Sequence, residues 1–136
     1  MIKSITFDWH NWGLRCIDDI DHERTIVCFG KQNKIIVRRF NGYNQKLQEH
    51  IYYIPEPTAS SSKFKIEKLL KDQKWEPDYF IQVCDGSHWE LTVQYEDGAK
   101  QKMEGTAKKP PFGKKLKNII YKMLKETFCE DMPILF

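Results

Sequence analysis

The chain has 136 residues and a mass of 16.3 kDa, the span of one ordinary domain rather than two. Hydrophobic residues at 40% and charged residues at 30% exclude a disordered chain, and no run reaches the roughly 20 apolar residues that a bilayer demands. The net charge of +3 is uneven: residues 1–62, 63–99 and 100–136 carry +1, −3 and +5, so positive charge gathers at the C-terminal end.

Ile5, Phe7 and Trp9 alternate with Thr6, Asp8 and His10, the period of a strand with one buried face. Asn11 and Gly13 then turn the chain, and residues 14–20 are read as a returning strand. Residues 25–29 and 34–40 are β-branched runs separated by Gly30-Lys31-Gln32-Asn33, a hairpin pattern that Asn41-Gly42 closes. A further strand at 50–54 is stopped by Pro55 and Pro57, because proline cannot donate to a ladder. Residues 55–62 read as a linker rich in Pro and Ser. From 63 to 74, Ile66, Leu69, Leu70 and Gln73 fall at helical spacing, with Trp75 near the end expected to pin the helix to a sheet.

Trp89, Leu91, Val93 and Tyr95 alternate with Glu90, Thr92 and Gln94 before Asp97-Gly98, which is read as a type I′ turn. The return strand covers 99–104. From 113 to 128, Leu116, Ile119, Ile120, Met123, Leu124 and Phe128 form one apolar stripe at helical spacing. This order predicts a single α+β domain over 1–136: an antiparallel sheet of five to six strands with two helices on one face, strands dominating 1–54 and helix, hairpin and helix filling 63–128.

Cys84-Asp85-Gly86-Ser87-His88 spells the signature of the CDGSH iron-sulfur family. That family holds its cluster with three cysteines and one histidine, and the positions of the remaining motif residues are here Gln73, Trp75, Asp78 and Gln82, so the resemblance is rejected. A wider run, Asp85-Gly86, Trp89, Tyr95, Asp97-Gly98, Gly105-Thr106 and Pro110-Pro111, resembles a pattern of small uncharacterised bacterial proteins. The resemblance implies a bacterial α+β domain and carries over no functional residue; separately, the abundance of Lys, Ile and Asn points to a low-GC bacterium or its mobile elements.

Cys16, Cys28, Cys84 and Cys129 are scattered without a CxxC pair, which suits reduced thiols and a cytoplasmic protein. Asp8, His10 and His22, or Cys84 with His88, contain ligand types for a metal-dependent enzyme, but their spacing does not demand one; no metal and no cofactor are assigned. No GxxxxGK[ST], GxGxxG or GxSxG segment supports nucleotide or acyl chemistry. The binding residues selected are Lys108, Lys109, Lys114, Lys115 and Lys117 around Phe112, with Arg38 and Arg39 beside Tyr43 as a second contact. The leading expectation is a non-enzymatic interaction module, of inhibitor, immunity or anti-defence type, that binds a protein. The alternative is a nucleic-acid-binding protein using the lysine patch. No membrane partner is expected, and the apolar tail 132–136 either packs back or anchors a partner.

Overall fold

Alternation along β1 (Ile2–Asn11) sends Ile5 and Phe7 to one side and Thr6 and His10 to the other, and this strand lies inside the sheet. The structure is a computed structural model and describes residues 1–11, 19–71, 78–79, 87–106, 110–127 and 129–135. β1 is followed by β2 (His22–Cys28), β3 (Lys34–Phe40), β4 (Lys46–Tyr53), α1 (Glu56–Lys71), β5 (Asp78–Tyr79), β6 (Ser87–Tyr95), β7 (Lys100–Thr106) and α2 (Gly113–Lys125). The fold is α+β.

The sheet runs in the order β4-β3-β2-β1-β6-β7-β5. Every neighbouring pair is antiparallel except β5, which adds two residues parallel to β7 and is too short to leave a periodic signature in sequence. Phe7 stands opposite Thr25 and Leu91, and Ile5 opposite Val27 and Val93. Extending this register across the ladders places Ile35, Val37, Trp89 and Met103 on the same face. All of them join one core with Ala59, Ile66 and Leu70 of α1 and Leu116, Ile120, Met123 and Leu124 of α2. Both helices therefore cover one face of the sheet, as expected, and the opposite face carries no helix among the described residues. Among those residues no helix is long and apolar enough to cross a membrane.

Three local expectations are corrected. Residues 56–62 are the first turns of α1 rather than a linker. The Pro55 carbonyl accepts the first helical bond from Ala59 N–H, and Pro57 stands in the first turn, where a missing N–H costs nothing. β2 starts at His22, so Asp19 and Ile20 lie outside any strand, while residues 12–18 fall outside the described region. The β6–β7 connection is not type I′: Asn44 is the sole described non-glycine residue with positive φ, so Asp97 has negative φ. Gly98 N–H donates to the Tyr95 carbonyl and Gly98 itself has φ 91°, the three-residue arrangement of a turn followed by a left-handed residue.

Arg39 and Glu23 point to the helix-covered face and are 2% and 3% exposed. Arg39 Nε lies 3.0 Å from Glu23 Oε2, Nη1 reaches Gln48 and Asp131, and Nη2 donates to the Asp131 carbonyl. The second Glu23 oxygen accepts the Ile134 N–H at 2.7 Å. This buried pair fastens the C-terminal segment against the sheet, with Leu135 2% exposed in the core. Met132 and Leu135 of the tail pack back on the domain. Removing one partner leaves a buried charge uncompensated, so Arg39→Ala is expected to cost about 3–5 kcal/mol in urea denaturation, and Arg39→Ala with Glu23→Ala less than the sum of the two single changes.

Candidate functional site on the helix-free face

Residues 8, 10, 22, 24, 26, 36, 38, 49, 51, 53, 88, 90, 92, 102 and 104 share the helix-free face, because each stands in register with its neighbour across the ladders. Four lateral rows result, and they differ in chemistry. One row aligns Thr92, Thr6, Ile26, Ile36 and Ile51, placing three isoleucines side by side on β2, β3 and β4. Lys34 and Tyr53 stand in the row next to it. Ile51 is 45% and Tyr53 59% exposed. On the other side of the isoleucines, Arg38 Nε donates to Glu49 at 2.7 Å, and Lys46 Nζ approaches the other Glu49 oxygen at 3.2 Å.

The rows differ more strongly toward β1, β6 and β7. His22, His10 and His88 are consecutive partners on β2, β1 and β6. The His10 and His22 rings stack with centroids 4.0 Å apart, Phe40 stacks on the far side of His22 at 4.9 Å, and His88 lies 6.2 Å from His10. In the adjacent row Asp8, Glu90 and Glu104 are consecutive partners on β1, β6 and β7. His22 Nε2 and Arg24 Nε both lie 2.8 Å from Asp8 Oδ1. His88 Nε2 lies 3.5 Å from Glu90 and 3.6 Å from Glu104, with Lys102 Nζ 3.7 Å from Glu90.

A cavity of about 340 Å³ opens at the histidine row, lined by His10, Asn11, Asp21, His22, Asn41, Gly42, Asn44 and His88. Its loop wall is fixed locally: Asn41 Oδ1 accepts the N–H groups of Tyr43 and Gln45, and Asn44 takes φ 59°, a left-handed conformation that asparagine tolerates. Burial pushes the Asp8 carboxyl up, but the His22 and Arg24 hydrogen bonds outweigh it and hold Asp8 below its ordinary value. Burial and then the adjacent His22 lower His10, which favours the neutral ring at neutral pH. Two groups bring three metal-ligating side chains within 4.8 Å of one another: Asp8, His10 and His22, and His88, Glu90 and Glu104.

Of the residues selected from sequence, the described ones do not share one surface. Lys108 and Lys109 lie outside the described residues, as do Cys16, Trp75 and Cys84. Lys114 and Lys115 are exposed in the first turn of α2, while Lys117 Nζ sits 5.3 Å from the Tyr121 ring centroid. Phe112 is 1% exposed and belongs to the core, so it is corrected from contact residue to packing residue. Arg39 is corrected likewise, since its guanidinium is consumed by Glu23 and Asp131; Arg38 and Arg39 also point to opposite faces. Tyr43 is 61% exposed in the loop after β3. Glu90, Glu104 and the apolar row were missed, because which residues face one another depends on the register of the ladders.

Neither a scan against protein-family models nor a search of curated proteins finds a match for the chain.

Asp8 titrates lower in the folded chain than in the unfolded one, so its stabilisation is complete above its unfolded value of about 4 and is lost as pH falls through the folded value. Asp8→Asn should cost about 1–3 kcal/mol at neutral pH. In urea denaturation the gap between wild type and variant should close on acidification; a gap constant from neutral to acid pH would contradict the assignment.

Proposed function

We propose that the protein is a non-enzymatic interaction module, of inhibitor or immunity type, that docks another protein on the β4 end of its helix-free face. The observation carrying this reading is the apolar row Ile26, Ile36 and Ile51, with Ile36 9% and Ile51 45% exposed and Tyr53 59% exposed beside it, on the side of the sheet that no helix covers among the described residues. An alternating strand normally turns polar residues to such a side, and contiguous apolar groups there favour burial by a partner.

The occupant is an extended, acidic-flanked segment of the partner that adds beside β4. Among the described residues β4 pairs on one side only, with β3, leaving its outer backbone groups available for a further strand. Leu47 at the β3–β4 bulge is 43% exposed, so apolar contact extends along the edge. Lys34, Arg38 and Lys46 surround the isoleucines against Glu49, giving a basic rim that suits carboxylates on the segment. Tyr53 supplies a large ring at modest entropic cost, as interface tyrosines do.

Three tagged proteins test this: wild type, Ile51→Lys, and a lysine variant carrying Lys114→Glu and Lys115→Glu, each exposed to host lysate in two arms, nuclease-treated at high salt and untreated at low salt. One stoichiometric protein held by wild type and the lysine variant, and reduced at least tenfold by Ile51→Lys, is the expected result. Equal capture by Ile51→Lys overturns the surface. Nucleic acid captured at low salt and lost with the lysine variant would move the function to the N-terminal end of α2.

A further inference from the structure

The carboxylate row contains an electrostatic conflict. Glu90 and Glu104 face each other directly across the β6–β7 ladder, and Asp8 faces Glu90 from β1, so three acidic side chains stand side by side on adjacent strands. Like charges directly opposite destabilise a sheet unless something positive lies between them. Arg24 serves Asp8 at 2.8 Å, whereas Lys102 comes only within 3.7 Å of Glu90. The group nearest both glutamates is an imidazole: His88 Nε2 lies 3.5 Å from one and 3.6 Å from the other.

Those separations exceed the ~2.9 Å of a hydrogen bond. They approach the ~3.4 Å between neighbouring donors around a tetrahedral ion with bonds of ~2.1 Å. We propose that His88, Glu90 and Glu104 bind one divalent transition-metal ion of the zinc type. Two carboxylates would lose their mutual repulsion to the cation, and the imidazole selects against calcium and magnesium, which prefer all-oxygen surroundings. Strands hold the three donors: His88 and Glu90 are two residues apart on one face of β6, and Glu104 is the direct partner of Glu90 on β7.

The neighbouring group Asp8, His10 and His22 is less suited to hold the ion. Its two rings are stacked within 17° of parallel, so their in-plane nitrogen lone pairs run alongside each other rather than converging. Its Asp8 Oδ1 also already receives both His22 and Arg24. This assignment uses the β1–β6–β7 end of the face and stands or falls separately from docking at β4.

The test is calorimetric titration of the chelator-stripped protein with Zn²⁺, using wild type, His88→Ala, Glu104→Gln, His22→Ala and, as a control on β4 away from the site, His50→Ala, with a zinc-dependent thermal melt on each. Wild type should take up one ion per chain, with affinity at least tenfold weaker in His88→Ala and Glu104→Gln and unchanged in His50→Ala. Glu104→Gln keeps the side-chain shape and removes one of the facing charges, so its metal-free form should melt no lower than wild type while losing the rise that zinc gives. No uptake by wild type, equal affinity in His88→Ala and Glu104→Gln, or loss confined to His22→Ala would each overturn the site.

Discussion

The register of the antiparallel ladders is the constraint on which the other features depend. Side chains alternate along a strand, so slipping β1 by one residue against β2 and β6 would turn Ile5 and Phe7 out of the core and bring Asp8 and His10 into it. Burial of Ile5, Phe7, Val27, Leu91 and Val93 beneath two helices fixes that register. The opposite face then inherits its rows without further choice. The histidine row, the carboxylate row and the isoleucine row are the reverse side of the same packing.

Two ends of one face thus acquire separate chemistry. Toward β4 the surface is apolar with a basic rim; toward β7 it is histidine and carboxylate. Between them, Asp8 ties β1 to β2 through His22 and Arg24. On the helix-covered side a second ionic group, Arg39 with Glu23 and Asp131, fixes the C-terminal segment from 129 to 135. Such a buried pair contributes little net stability compared with a well-packed apolar pair, but it leaves the tail one favourable place to lie. Leu135 is thereby held in the core, while Ile134 beside it stays 39% exposed.

Periodicity made some of this legible. The alternation of Ile5, Phe7 and Trp9 and the stripe from Leu116 to Leu124 identify β1 and α2, because local spacing alone decides which residues share a face. The start of α1 was not legible, since Pro55-Glu56-Pro57 followed by three serines has the composition of a loop, yet proline is compatible with a first helical turn. Arg39 resembled a contact residue because its partner Asp131 is 92 positions away. Asp8, His10 and His22 stood out as ligand types near one another in sequence, whereas Glu104 became a neighbour of His88 and Glu90 only through the β6–β7 ladder. A two-residue turn at Asp97-Gly98 would set Glu90 opposite Gly105; the three-residue loop shifts the register by one and sets Glu104 there.

The central claim is that the helix-free face, rather than the lysine-bearing helix, is the surface the protein works through. Amide hydrogen exchange on the protein alone and in its purified complex tests it most directly. The account predicts slowed exchange along β4, from Lys46 to Tyr53, with little change in α2. Protection concentrated at the start of α2, with β4 exchanging as in the isolated chain, would contradict it.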